Sequence, residues 1–327
     1  MLIPFEQSTY QAQVFRLRKL AKTALENYAI HRPLLKLITH WNNTTFAVCD
    51  HQNNRYILRI SRPGFQDVLH VRSELMWLMA LRDAHFCVPQ VVPTQTGDPL
   101  VVVDSPGVPQ PRTCVLFHHL PGRFYTHNIV PQQFAQSGVL MAHLHNSTFF
   151  PSPHFTRKIW NADTALGRVS GIDQGAFQKY LNAETKKLYI QIDQQYTQIF
   201  QKLGDSQDAF GLIHADFHQH NILYCSGRVC AIDFDECGWG HYLHDIAIAF
   251  MNIRHHKNER ALRQAFLSGY RTVRHLPPIN EQHLNAFIAG RLLGLAVWTA
   301  GVTDHPKNRA QAARVVDQTF CALKSYC

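Results

Sequence analysis

The chain has 327 residues, above the roughly 100–200 that fill one ordinary domain, so two lobes are affordable. Hydrophobic residues make up 46% and charged residues 17%, a globular balance that excludes a disordered or coiled-coil chain. The formal charge of +9 favours anionic partners, phosphate-bearing substrates first; without a long Lys/Arg run or a basic helix with interleaved aromatics, nucleic acid is not expected.

The opening MLIPFEQSTYQAQVF carries no cationic stretch leading into an apolar segment, which points to a cytoplasmic chain. Val14, Leu17, Ala21, Leu25 and Tyr28 recur at helical spacing and predict a first helix over 10–28. LLKLITHW (34–41), TTFAVCD (44–50) and RYILRIS (55–61) are short, rich in β-branched and aromatic residues, and separated by Asn-rich punctuation, as in an antiparallel meander. A helix is expected over 65–82, then strands over 100–104 and 113–119. Beyond Gly122 the pattern is helical over 131–145, 175–203, 242–253, 258–273, 281–300 and 305–323, with one strand-like island at 211–232. The longest apolar stretch, 286–302, is broken by Arg291 and falls short of the ~20 residues that span a bilayer, so a buried core helix and no membrane are expected. The prediction is an α+β, two-lobed fold: an antiparallel β-sheet N-lobe with helices over 1–119 and a mainly helical C-lobe over 120–327.

The chemistry concentrates in GLIHADFHQHNILYCSGRVCAIDFDECGWG, residues 211–240. ILYC (222–225) and RVCAI (228–232) flank Ser226-Gly227, a hairpin signal; a two-residue loop sets Cys225 against Arg228 and Asn221 against Ile232. Asp233 then follows beside Asn221, and Asp216 sits just upstream. Taken singly, Asp216 and Asp233 read as turn residues. The ordered set offers oxygen ligands for magnesium and a carboxylate to orient an attacking hydroxyl, which are the needs of phosphoryl transfer. The eight cysteines show no CxxC spacing, and His218 and His220 lack a third zinc ligand at suitable spacing.

This segment resembles the catalytic and metal-binding loops of the aminoglycoside phosphotransferase and choline kinase superfamily, which has the protein-kinase-like fold. It is most similar to the branch of type II homoserine kinases and hydroxylysine kinases. The resemblance implies Asp216 as catalytic aspartate, and Asn221 and Asp233 as magnesium ligands. It extends to RYILRISRPG, placing Arg59 where most such kinases have a phosphate-binding lysine, and to SELMWL, offering Glu74 as its ion-pair partner. NNTTFAV resembles the nucleotide-covering turn, with Thr44, and VLFHHLPGR the lobe-connecting segment, where the backbone of Phe117 and His118 would meet adenine.

A second metal, a substrate amine or a solvated turn are the roles open to Asp235; Trp239 and Tyr242 are candidates for the acceptor pocket or for core packing. His214 is expected to brace the loop, and Asp245 to act as a capping or charge–dipole residue that steadies it. The expected activity is ATP- and Mg2+-dependent transfer of the γ-phosphate to a hydroxyl of a small metabolite or amino-acid-like alcohol. An antibiotic phosphotransferase, a Ser/Thr protein kinase and a nucleotide-binding pseudokinase regulator are the alternatives. A polycationic acceptor needs many carboxylates, and the C-terminal ~80 residues hold only Glu259, Glu281, Asp304 and Asp317. Oligomeric state is not legible in the sequence.

Overall fold

The computed structural model describes residues 3–147, 153–169, 171–204, 206, 208–225, 227–276, 282–302 and 306–326. Ser226 of the expected hairpin loop, Glu281 and His305 at two expected helix starts, and Asp304 lie outside the described residues. The chain gathers into two compact units: Met1–Leu120 with Phe149–Thr156 and Asp304–Lys307, and Pro121–Thr148 with Arg157–Thr303 and Asn308–Cys327.

The first unit is built on an antiparallel sheet of β1 (Leu34–His40), β2 (Thr44–Cys49), β3 (Arg55–Ile60), β4 (Val91–Val92), β5 (Val101–Val103) and β6 (Arg112–His118), in the order β1-β2-β3-β6-β4 with β5 also on β6. Strand alternation gives the sheet two distinct faces. Phe46, Val48, Leu58, Ile60, Cys114 and Leu116 form one core with Leu17, Leu20, Ala21 and Ala24 of helix α1 (Tyr10–Leu25). The intervening residues include Thr45, Arg59 and Val115, aligned across β2, β3 and β6. Helix α2 (Val68–Asp83) starts later than the apolar pattern predicts because the Asp67 side chain accepts from the His70 amide and so caps the helix at Val68.

The second unit is mainly helical: α3 (Pro131–His145), α4 (Ala162–Ala165), α5 (Gln174–Gln178), α6 (Ala183–Leu203), α7 (Tyr242–Ile253), α8 (Glu259–Arg271), α9 (Leu284–Gly301) and α10 (Pro306–Leu323). The single helix expected over 175–203 is two, because Asn182 and Thr185 form a reciprocal capping box that starts α6 afresh. Helix α9 is long and apolar enough to cross a membrane by length and composition, yet most of it is buried within this unit, as a core helix is.

Two small sheets interrupt the helices. Strands β9 (Ile222–Cys225) and β10 (Arg228–Ala231) pair with Cys225 opposite Arg228, the register that the two-residue loop requires. A three-stranded sheet, β7-β11-β8, joins Ile159–Trp160, Gly238–His241 and Phe210–Ile213. Strand β11, GWGH, carries a weak strand signal, its two glycines being poor strand formers. Its glycines are needed for close approach: a Cβ on Gly238 would lie 2.4 Å from the Lys158 carbonyl oxygen, and one on Gly240 would lie 2.5 Å from Ile213.

Helices α3 and α8 meet through glycine on both sides. A Cβ on Gly138 would lie 2.2 Å from the Phe266 carbonyl oxygen, and one on Gly269 would lie 2.1 Å from that of Ala135. Phe134 packs on Phe266 beside this crossing, ring centroids 4.9 Å apart. Gly138→Ala should therefore lower stability by about 2 kcal/mol, since overpacking against backbone outweighs a helix-propensity gain of up to about 1 kcal/mol. A lower urea midpoint is the expected outcome; an unchanged or higher one contradicts the close crossing.

Candidate active site

The loop at 214–221 leaves β8 and enters β9, and its shape is set by one buried carboxylate. Asp245, in the first turn of α7 and fully buried, accepts the His214 amide at 2.8 Å and the Ala215 amide at 2.6 Å. Ala215 takes φ 63, a conformation that a non-glycine residue adopts only when its surroundings enforce it. The sequence places Asp245 as a cap or charge–dipole residue; its carboxylate is instead spent on the loop's amides, and His241 is the N-cap of α7.

His145 of α3 completes this support. Its Nε2 lies 3.1 Å from Asp245 Oδ2 and its Nδ1 lies 2.8 Å from the Tyr270 hydroxyl. Burial pushes the His145 ring down despite Asp245, so the ring is neutral, donating from Nε2 and accepting from Tyr270. Burial pushes Asp245 up, but His145 and the His214 amide outweigh it and keep the carboxyl below its usual range. His214 braces the other side of the loop: Nε2 lies 3.0 Å from the Ile232 carbonyl oxygen, and Nδ1 accepts the Asp216 amide at 3.3 Å.

Asp216 emerges from this loop with its side chain 22% exposed. Asn221 Nδ2 donates to its Oδ2 at 3.1 Å and to its backbone oxygen at 3.0 Å. His218 Nε2 lies 3.3 Å from Oδ2, and Arg291 Nη2 lies 3.3 Å from Oδ1. Burial pushes the Asp216 carboxyl up, yet the His218 ring and the Arg291 guanidinium hold it well below the usual carboxylate range. The His218 ring is pulled down by burial but raised on balance by Asp216 and the Asp233 charge. Arg291 was visible in the sequence only as the lone charge in an apolar stretch; it sits on α9, 5.9 Å from the Trp160 ring. Behind that ring His244 is buried, and burial with the Arg291 charge pushes it down to about 3, leaving it neutral.

Asn221 is buried; its backbone oxygen accepts the Ile232 amide at 2.9 Å, which sets Asp233 next along the returning chain. Asp233 is exposed, at φ 64. Among the described residues no group of three or more His, Cys, Asp or Glu side chains is gathered as a metal cluster. One amide and one carboxylate oxygen instead suit a hard cation that keeps waters and phosphate oxygens as its remaining ligands. Asp235 is buried in a turn gripped by Arg157, which donates to the carbonyls of Asp235 and Cys237. Nothing in the sequence signalled Arg157. Trp239 lies on β11, between Leu212 and Ile159 of the neighbouring strands.

In the first unit, Arg59 and Glu74 form a buried bidentate pair, both N···O distances 2.7 Å, with the guanidinium 5.4 Å from the Phe117 ring centroid. Thr44 stands apart from them: it follows the alternation of Phe46 and Val48 onto the α1 side, and its hydroxyl lies 2.8 Å from His40 Nδ1. His118 ends β6 with its ring against Tyr56, centroids 5.4 Å apart.

Replacing Asp245 by Asn should destabilise the protein by about 3 kcal/mol, because buried partners lose their charged acceptor. The pH dependence has a fixed sign. His145 and Asp245 both titrate lower in the fold than their ordinary 6.5 and 3.8, so the unfolded chain binds more protons in acid. Stability should fall as pH drops below about 6.5 and again below about 4, and His145→Gln should flatten the upper of these limbs in denaturation curves taken across pH.

Among known proteins, the chain is 23% identical over 245 residues to amicoumacin kinase of Bacillus subtilis, covering 74% of this chain and 69% of that one. It is 39% identical over 99 residues to homoserine kinase of Neisseria meningitidis serogroup B, covering 29% of this chain and 32% of that one. The solved structure of a microcompartment-associated aminopropanol kinase superposes with TM-score 0.83 at 28% identity, over 94% of this chain and 97% of that one. Residues 35–281 match the family described as "Phosphotransferase enzyme family", and the chain belongs to it.

Proposed function

We propose that the protein is an ATP-dependent kinase that moves the γ-phosphate to the hydroxyl of a small amino alcohol or amino-acid-like alcohol. The observation that carries this reading is the Asp216–Asn221 hydrogen bond at the open end of the β9–β10 hairpin, with Asp233 immediately beyond its last pairing. Two of the relatives are named for such acceptors, homoserine and aminopropanol.

In this reading Asp216 receives the acceptor hydroxyl. Its carboxylate stays ionised through neutral pH because His218 and Arg291 oppose protonation, so it is always an acceptor for that O–H. The same low basicity makes it an orienting group first: the hydroxyl oxygen attacks the γ-phosphorus, the bond to the β-bridging oxygen breaks with its electron pair leaving on ADP, and the proton passes to Asp216 late. Asn221 holds Asp216 through Nδ2, which leaves its Oδ1 for a cation, and the exposed Asp233 supplies a charged oxygen. Magnesium is the hard cation this donor set favours, and when bound it supplies charge neutralisation across the nucleotide's phosphates. Arg59, fixed by Glu74, is assigned to those phosphates; a guanidinium keeps the charge of the usual lysine and adds a fork of donors.

The test is ADP release with Mg-ATP over a panel of hydroxyl-bearing amino acids, amino alcohols and antibiotics. Wild type should turn over with an amino alcohol or amino-acid acceptor, and Asp216→Asn should cut kcat by roughly 10²–10⁴ while still binding nucleotide. Equal turnover in the two removes the mechanism. Nucleotide binding with no turnover across the whole panel makes the chain a regulator.

A further inference from the structure

A cavity of about 60 Å³ lies in the first unit, on the side of the sheet opposite Arg59 and Glu74. It is walled by Phe5 and Glu6 of the N-terminal turn, by Trp41 and Asn42 between β1 and β2, and by Arg62 and Arg112. Arg112 alternates in step with Cys114 and Leu116, which face α1, and so stands on the α1 side of β6. It is 5% exposed, and among the described residues its guanidinium makes neither a hydrogen bond nor an ion pair. Its guanidinium carbon lies 5.7 Å from the centroid of the Phe5 ring.

Arg112 Nε is buried without an acceptor, an unmade hydrogen bond that costs stability and that an anion entering the cavity would satisfy. Two arginines against one glutamate give the cavity a net charge of +1, and burial pulls Arg112 down to about 10 although the Glu6 charge opposes it; the Arg62 charge adds to the fall. The Asn42 side-chain oxygen is also buried without a partner, and a half-turn of that amide presents a donor pair instead.

We infer that this cavity is a binding site for a small oxyanion, a phosphate or a carboxylate group, clamped by the fork of Arg112 with Arg62 and the Asn42 amide. A guanidinium fork matches two oxygens of such a group at once. The site is wired to the turn between β1 and β2. Gln13 Nε2 donates to the Phe5 carbonyl at 2.9 Å, Gln13 Oε1 lies 3.0 Å from His40 Nε2, and His40 Nδ1 lies 2.8 Å from the Thr44 hydroxyl. An anion held here braces the N-terminal turn and the start of β2 together.

The probe is inorganic phosphate, titrated against the full chain by calorimetry and by thermal unfolding, with chloride at equal ionic strength as reference. Wild type should bind phosphate and gain melting temperature beyond the chloride control. Arg112→Gln should weaken phosphate binding by about tenfold or more, and Arg62→Gln severalfold. Arg59→Lys, on the other face, should leave this response in place. The inference is overturned if phosphate stabilises no more than chloride, if Arg62→Gln and any folded Arg112 variant respond as wild type does, or if Arg59→Lys abolishes the effect. The roles given to Asp216, Asn221 and Asp233 do not depend on any of these outcomes.

Discussion

The loop that carries Asp216 depends on one carboxylate that is fully buried. Asp245 fixes two successive amides, those of His214 and Ala215, and Ala215 holds a left-handed backbone because of it. That conformation turns the chain so that Asp216 leaves the loop toward Asn221 rather than continuing β8. A buried charge is affordable here because every stabilising partner is itself buried and directional: two backbone donors and the neutral His145 ring, which Tyr270 holds in one tautomer. The loop is thus anchored from α7, α3 and α8 at once, by helices whose own packing relies on the glycine crossing of α3 and α8.

The electrostatics of Asp216 follow from what surrounds that anchor. Flanked by a guanidinium from a buried helix and by an imidazole two residues on, the largely buried Asp216 carboxyl is held well below the usual carboxylate range. Such a group is suited to holding a hydroxyl in line and poorly suited to stripping its proton early. That division of labour fits a reaction in which bonding to the transferred phosphorus, not a strong base, makes the alcohol acidic as ADP departs.

Much of this was legible in the sequence because it rests on short-range spacing. The β9–β10 register follows from a two-residue loop, and with it the opposition of Asn221 to Ile232; the meander of β1 to β3 follows from alternation. What escaped notice rests on long-range fit. Strand β11 is half glycine, which weakens its signal, because only glycine admits the Lys158 carbonyl and Ile213 so close. The break before α6 was readable as Asn182 with Thr185 but was masked by the apolar pattern on either side. Arg291 and Arg157 act across 75 and 78 positions of sequence, where no local pattern links them to Asp216 and Asp235. Thr44 steps with Phe46 and Val48 toward the α1 side, where its hydroxyl meets His40, a parity readable in the alternation of β2.

Asn221 and Asp233 are proposed to hold one divalent ion next to Asp216. Electron paramagnetic resonance of Mn2+ titrated into the protein with AMP-PNP present tests it most directly. Wild type should give a bound-Mn2+ signal whose affinity drops by roughly tenfold or more in Asp233→Asn and in Asn221→Ala. Mn2+ affinity unchanged in both variants would contradict it.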